Sequence, residues 1–292
     1  MYYTGFADEA GADLDVQIKA TKELGWDKIE TRALYGSNLA FITDDQFDEV
    51  RRKIDVAGIT FNCFGSGIGN WATNIAESPD KSYDEMRRAV PRMQKLGIEM
   101  IRVMSFPVKD LEKHEIYADE AIKRMKAITA IAADGGITCV LENCSGWGSG
   151  SCEHAVRMLE AGDSPYFKAV FDTGNPVFDP DLRFGPPFDK KQDAWEFYQA
   201  VKDFIVYVHI KDGYMDGSKT VFTHAGEGTG SVKRIVEDLL KNGYDGGFSM
   251  EPHLAVVFHD SSITSEDSVR YENYVEYGRR FMKMVDDIKK QI

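Results

Sequence analysis

Short apolar runs, rich in β-branched and aromatic side chains, alternate along this chain with longer segments in which apolar residues recur at helical spacing. The short runs predict strands, because β-branched and aromatic side chains pack well on a pleated sheet. Eight strands are predicted, at residues 2–6, 28–31, 60–64, 100–104, 138–142, 168–172, 205–210 and 247–251. No Pro-, Ser- or Gly-rich linker interrupts the alternation, so we expect residues 1–292 to form a single domain.

The longer segments predict eight helices, each with an apolar stripe along one side. They span residues 12–24, 44–57, 82–96, 116–133, 153–161, 192–202, 232–241 and 272–290. Several are followed by a glycine where helices commonly end, as at Gly25, Gly58 and Gly97. The chain therefore repeats a strand-then-helix unit eight times.

Such units predict parallel strands joined by right-handed crossovers, and eight of them close into a (β/α)₈ TIM barrel of the α/β class with its helices outside. An open, doubly wound sheet is the alternative arrangement of the same units. Neither G-x-G-x-x-G nor a phosphate-binding G-x-x-x-x-G-K-[ST] follows the first predicted strand, so the nucleotide sites typical of open sheets have no signature here.

The predicted fifth to eighth strands each carry an ionisable side chain near the carboxyl end: Glu142, Asp172, His209 and Glu251. In a barrel these ends meet at one mouth, where barrel enzymes carry out chemistry. Three carboxylates and one imidazole form an oxygen-rich metal site that suits Mn²⁺ best, while Mg²⁺, Co²⁺ and Zn²⁺ fit the same donors. Taken singly, each residue has an ordinary structural explanation as a turn former, a barrel histidine or an ion-pair partner. The occurrence of all four residues at the ends of successive strands favours a metal site over these separate structural explanations.

Glu142 and Glu251 are expected to be the catalytic acid and base. Their strands lie three apart in a ring of eight, so the two carboxylates approach the centre from nearly opposite sides. A metal that chelates a carbonyl and the neighbouring hydroxyl would stabilise an enediolate and make the adjacent C–H acidic. One glutamate then takes the proton and the other returns it.

Charge and cysteine content narrow the classes of function. The chain has 35 Lys and Arg against 48 Asp and Glu, a net charge of −13, which disfavours nucleic acid and anionic membrane partners. A DNA-repair endonuclease needs several metals and a basic groove. The chain has only six histidines and a negative net charge, so this function is also disfavoured. Four cysteines without C-x-x-C spacing predict reduced thiols, and neither a leader nor a membrane span is evident, so we expect a cytoplasmic protein.

Five sequence features together resemble the xylose isomerase-like barrel superfamily, specifically its sugar phosphate isomerase/epimerase branch. They are the strand end at Glu142, the segment 171–174 (Phe-Asp-Thr-Gly), 209–212 (His-Ile-Lys-Asp), 226–228 (Gly-Glu-Gly) and 251–252 (Glu-Pro). The resemblance covers nearly the whole chain. It implies a metal-dependent isomerase or epimerase acting on a sugar, sugar phosphate or related polyhydroxy keto compound.

The resemblance also implies that Glu142, Asp172, His209 and Glu251 are the metal ligands. Two positions depart from the epimerase pattern, because Asn175 stands where a histidine is usual, and Lys211 followed by Met215 stands where an arginine is usual. An inosose-type dehydratase would use the same metal site. A non-catalytic barrel that binds carbohydrate or metal is the alternative outside the enzymes.

Four residues are predicted to contact substrate: Asn175, Lys211, Trp147 and His253. Each has a structural alternative: a turn residue, a surface charge, a tryptophan packed on the barrel rim and a loop cap respectively. Trp71 in a second Gly-rich loop and Glu30 at the end of the second strand also face the mouth, although Glu30 could instead pair with Lys28 or Arg32. The long loop 179–189 predicts a lid or a contact between subunits of a homo-oligomer.

Overall fold

The computed structural model describes residues 1–257 and 265–292. Its strands are β1 (Tyr2–Gly5), β2 (Lys28–Thr31), β3 (Thr60–Gly65), β4 (Met100–Val103), β5 (Thr138–Glu142), β6 (Phe167–Asp172), β7 (Ile205–Ile210), β8 (Asp212–Asp216), β9 (Lys219–Thr223) and β10 (Gly247–Met250). Eight of them form one parallel sheet in the order β1-β10-β7-β6-β5-β4-β3-β2. The end strands β1 and β2 lie side by side, so the sheet is nearly closed into a TIM barrel, and the predicted fold is confirmed.

Helices surround this barrel. They are α1 (Leu14–Glu23), α2 (Asp44–Ala57), α3 (Asp80–Leu96), α4 (Ala118–Asp134), α5 (Cys152–Gly162), α6 (Asn175–Phe178), α7 (Ala194–Val201), α8 (Val232–Lys241) and α9 (Asp267–Lys289). The eight predicted helices are all present, with ends shifted by up to five residues; α6 is an additional single turn after β6. Among the described helices, none has the length and apolarity to cross a membrane.

Local sequence explains where several helices begin and end. The Thr43 hydroxyl accepts a hydrogen bond from the backbone N–H of Gln46, whose side chain accepts one from the Thr43 N–H in return. This reciprocal capping starts α2, and Gly58 ends it with a left-handed backbone (φ 61°). At α7 the Asp193 carboxylate accepts from the Glu196 N–H, which is why this helix starts at Ala194 and not at the predicted residue 192.

The hairpin of β8 and β9 is absent from the predicted strands. Its two strands pair antiparallel around Gly217, which has a φ of 61°. Most of its side chains are partly or fully exposed, so the apolar alternation that predicts a half-buried strand is missing. The hairpin follows β7 directly and therefore projects from the carboxyl end of the barrel, the end that carries the predicted site.

The barrel interior is filled at its amino-terminal end. Cys63, Val140, Val170 and Tyr207 form a small buried cluster that is separate from the larger core between strands and helices. Asn62 adds polar contacts there, because its amide donates to the Tyr207 hydroxyl at 2.9 Å. With this end closed by side chains, the opposite end is left for a site.

Candidate metal centre at the barrel mouth

Glu142, Asp172, His209 and Glu251 converge at the carboxyl ends of β5, β6, β7 and β10. One potential ligand atom from each lies within 4.8 Å of those of the other three. Asp172 and His209 are register partners on adjacent strands, and Glu251 directly follows Met250 at the end of β10. All four residues are buried. Because buried carboxylates need compensation by cations or hydrogen bonds, the contacts of each one matter.

The His209 ring is held between two carboxylates. Its Nε2 lies 3.0 Å from Glu30 Oε2, while its Nδ1 faces Glu142 Oε1 at 3.4 Å. Glu30 Oε2 also accepts from the hydroxyls of Ser249 at 2.6 Å and Tyr207 at 2.9 Å. A carboxylate on the remote ring nitrogen is the usual means of orienting a metal-binding histidine. Nδ1 is therefore the candidate ligand atom.

Three cations neutralise the carboxylates of this centre. Arg102 Nη1 lies 3.1 Å from Glu142 Oε2, and Arg32 Nη1 lies 2.6 Å from Glu251 Oε1. Lys211 Nζ lies 2.8 Å from Glu251 Oε2 and 3.2 Å from Asp172 Oδ2. The two arginines were not among the predicted site residues. Arg102 carried a usable signal, because it interrupts the apolar run Met-Ile-Arg-Val of a buried strand.

These contacts set the ionisation of the site. Burial raises the pKa of Glu142, but Arg102 and His209 outweigh it and lower that pKa to about 2. Burial likewise opposes the ionisation of Glu251, whose pKa is nevertheless held well below its usual range by Lys211, His253 and Arg32. Burial alone would lower the pKa of His209, yet Glu30 and Glu142 raise it to about 10. Both glutamates are therefore carboxylates at neutral pH, as a proton acceptor must be.

The donor set fits a divalent cation. Asp172 Oδ1 accepts from the backbone N–H groups of Gly174 and Asn175, at 2.8 and 2.7 Å. Asp172 Oδ2 is buried and accepts no hydrogen bond from the residues that the structure describes, although the Lys211 ammonium lies near it. An unbonded carboxylate oxygen beside two more carboxylates and an imidazole is a donor group suited to Mg²⁺, Mn²⁺ or Zn²⁺. The four residues form a buried candidate metal site.

A cavity of about 910 Å³, here called the mouth cavity, opens above this centre. Its lining includes three of the four predicted substrate-contacting residues, namely Asn175, Lys211 and His253, together with Trp71. Asn175 donates to Glu142 Oε1 at 3.2 Å, and His253 Nδ1 lies 3.0 Å from Glu9 Oε1. Polar side chains of the cavity floor thus contact the candidate ligands or their neighbours directly.

Trp147, the fourth predicted substrate residue, lies elsewhere. It is 1% exposed and lines an adjacent cavity of about 260 Å³, which shares Ser145 and Asp179 with the mouth cavity. Asp179 lines both cavities, and its burial raises its pKa to about 7. Trp71, by contrast, is 43% exposed at the mouth. A contact between Trp147 and substrate stays a prediction.

The other residues considered from sequence have defined surroundings. Glu30 contacts His209, whereas Lys28 pairs with Asp27 and Arg32 pairs with Asp8 at 2.9 Å. In the loop 179–189, Arg183 bridges Asp181 and Glu196, which ties the loop to the start of α7. That the loop 179–189 acts as a lid or as an oligomer contact stays a prediction.

The sequence from residue 18 to residue 277 matches the family model described as Xylose isomerase-like TIM barrel, and this chain belongs to that family. The match confirms the resemblance drawn from the motifs. No curated protein has a sequence that matches the chain.

Solved structures share the fold at low sequence identity. A protein titled IOLI with a bound zinc atom has a TM-score of 0.73 at 13% identity, covering 99% of both chains. A D-tagatose 3-epimerase-like protein has a TM-score of 0.72 at 18% identity, covering 100% of this chain and 99% of its own. The probable 3-DHS dehydratase AsbF of Bacillus anthracis has a TM-score of 0.68 at 13% identity, covering 97% and 99%. At these identities the likeness concerns the fold alone.

Proposed function

We propose that this chain is a divalent-metal-dependent isomerase or epimerase of a sugar, sugar phosphate or related polyhydroxy keto compound. The observation that carries the proposal is the convergence of Glu142, Asp172, His209 and Glu251 beneath the mouth cavity. The epimerase-like structural neighbour agrees with it. We expect Mn²⁺ to be the preferred metal, because three carboxylates and one imidazole are a harder donor set than zinc usually selects.

When bound by these four residues, the metal would polarise a substrate carbonyl and stabilise the negative charge of an enediolate. Glu142 and Glu251 are the proposed acid and base. Arg102 keeps the first ionised, and Arg32 and Lys211 keep the second ionised, so either carboxylate can accept a proton from carbon. The carboxylic acid formed in this way can return its proton to the neighbouring carbon, which gives an isomerisation. An epimerisation instead needs the opposite glutamate to take up a proton from solvent before it delivers one to the other face.

Asn175, Lys211 and His253 are the proposed substrate contacts. Asn175 offers both a donor and an acceptor to a hydroxyl, and Lys211 offers a donor to an anionic or carbonyl oxygen. Because Lys211 also contacts Asp172 and Glu251, an anionic substrate would compete with these carboxylates for the ammonium group, whereas a metal ion would compete with the ammonium group for the carboxylates. Trp71, exposed at the mouth, has a face on which the C–H groups of a sugar could stack.

The test is solvent hydrogen exchange. Protein loaded with Mn²⁺ and protein treated with a chelator are incubated in D₂O with ketoses, inososes and their phosphates, and deuterium and product mass are followed together. We expect metal-dependent deuterium at a carbon next to the carbonyl. Loss of a general base typically costs about 10²- to 10⁴-fold, so Glu142→Gln and Glu251→Gln should lose most of the exchange.

Controls separate chemistry from metal loss. The metal content of each variant is measured, because both glutamates are also candidate ligands. Glu227→Gln is the matched control, since this glutamate is exposed and pairs with Arg280. A product lighter by one water would point to a dehydratase acting through the same centre. If Mn²⁺ binds tightly and none of the compounds exchanges, the proposal is wrong and a binding barrel becomes the better explanation.

A further inference from the structure

Away from the barrel centre, a second group of potential metal ligands lies beside α5. His114 and Glu115 belong to the short helical segment Leu111–Tyr117 that follows β4, and His154 lies in the first turn of α5. One ligand atom from each lies within 4.8 Å of the others. Two imidazoles and one carboxylate are a softer donor set than the three carboxylates and one imidazole of the barrel centre.

Both imidazoles turn Nε2 toward the same carboxylate oxygen. His154 Nε2 lies 2.8 Å and His114 Nε2 lies 3.4 Å from Glu115 Oε1. The other ring nitrogens are engaged, because His114 Nδ1 lies 2.7 Å from the carbonyl oxygen of Leu111 and His154 Nδ1 lies 2.7 Å from Ser151 Oγ. A carbonyl oxygen only accepts, so His114 carries its proton on Nδ1, and a neutral ring presents the Nε2 lone pair to the group.

Neighbouring side chains hold this geometry in place. Arg157 Nη1 lies 3.2 Å from Glu115 Oε2, so the second carboxylate oxygen is occupied and Oε1 is left facing the imidazoles. Trp147 packs edge-on against the His154 ring with the centroids 4.8 Å apart, and the Arg157 guanidinium lies over the same tryptophan. Ligands with restrained rotamers lose little side-chain entropy when an ion binds.

We propose that His114, Glu115 and His154 bind one transition-metal dication of the Zn²⁺ type. Two histidines and a glutamate are a donor set used for zinc in proteins, and three protein ligands leave a further position for water or another ligand. The side chains of His114 and His154 are 14% and 8% exposed, whereas that of Glu115 is 56% exposed, so the group is open to solvent on the carboxylate side. His114 also lines the adjacent cavity that adjoins the mouth cavity.

The experiment counts zinc ions per chain by isothermal titration and by elemental analysis after gel filtration. We expect wild-type protein to bind two, one at each site. His114→Gln and His154→Gln should each bind one, and so should Asp172→Asn, which disables the barrel centre instead. His224→Gln is the matched control, because His224 is partly buried but belongs to neither group, and it should retain two.

Two further measurements distinguish loss of this site from misfolding of a variant and from failure of the barrel centre to bind metal. Ser151→Ala keeps the three ligand residues but removes the hydroxyl that contacts His154 Nδ1 and caps α5 at the His154 N–H, so zinc affinity at this site should fall by about 10- to 100-fold. Cu²⁺ bound to the Asp172→Asn protein should show electron paramagnetic resonance splitting from two nitrogens.

The alternative occupant of the space between His154 and Glu115 is a proton, which would make the pair a simple hydrogen bond. The proposal is overturned if well-folded Asp172→Asn protein binds no zinc. It is equally overturned if the His114 and His154 variants bind as many ions as wild type. Failure of the barrel centre alone would leave wild type with one zinc that the histidine variants lose.

Discussion

His209 illustrates how a residue's role depends on neighbours that are far away in sequence. A metal ion replaces the proton on one nitrogen of this ring, and the partner of the other nitrogen decides which one. Glu30, which is distant from His209 in the sequence, contacts Nε2 and accepts hydrogen bonds from Ser249 and Tyr207 that fix its position. Glu30 is therefore a positioning residue for the candidate ligand.

Replacing Glu30 with glutamine should weaken metal binding at the barrel centre. The amide would accept a weaker hydrogen bond from the ring, and loss of such a partner typically costs about 10- to 100-fold in affinity. Titration with Mn²⁺ measures the effect. Glu85→Gln is the control, because Glu85 is also buried but contacts Asn38 and Gly67. Equal affinities in Glu30→Gln and wild type would contradict this role.

Individual site residues could be predicted where an ionisable side chain occurs in an otherwise apolar strand. Glu142, Asp172 and His209 each lie at or next to the end of a largely apolar strand, and the structure brings them together with Glu251. Arg32 lies in no such strand, since it follows a predicted strand in an ordinary polar turn. Its pairing with Glu251 depends on β2 and β10 lying on either side of β1 in the closed barrel, which no local pattern encodes.

At the scale of elements, the segment 226–228 acts through its backbone. Asp212, the first residue of β8, is buried, and its carboxylate accepts from the N–H groups of Gly213, Gly226, Gly228 and Gly230 at 2.8 to 3.0 Å. A Cβ at Gly228 would lie 2.3 Å from Asp212 Oδ1, so glycine is required there. This explains why Asp212 and the glycines occur together in the sequence, while the Glu227 side chain between them is exposed.

We therefore expect Asp212→Asn to destabilise the protein. An amide would direct N–H groups at some of the backbone donors that now reach a carboxylate, and buried donors would lose their acceptor. The free energy of unfolding should fall by about 3 kcal/mol, from hydrogen bonds to a charged group worth roughly 1.5–3 kcal/mol each. Urea denaturation measures it.

Asp216→Asn provides the comparison for this change, because Asp216 is exposed in the hairpin and such surface changes usually stay within about 0.5 kcal/mol. If both variants unfolded at the same urea concentration, the proposed anchoring of the loop 224–230 by Asp212 would have to be abandoned.

For the whole molecule, the sequence predicts one folding unit, and we propose that the chain unfolds in a single transition. Far-ultraviolet circular dichroism and tryptophan fluorescence should give coincident curves, since the four tryptophans lie in different parts of the barrel. Mn²⁺ at about a hundred times its Kd should add roughly 2.7 kcal/mol to the stability seen by both probes. Asp172→Asn should show the single transition without the metal-dependent increase, and two separate transitions would contradict the single unit.

The repeating strand–helix pattern and the candidate ligands at the strand ends could be predicted from the sequence alone, and the pattern favoured a barrel over an open sheet. These follow from periodicity and from the strict alternation of directions along a strand, both of which are local. The sequence could not determine which cation meets which carboxylate, which nitrogen of His209 is held, or that Trp147 is buried beside His154. The contacts of the cations and of His209 join residues 39 to 219 positions apart, so only barrel closure decided them. The burial of Trp147 depends on the packing of the loops at the barrel mouth.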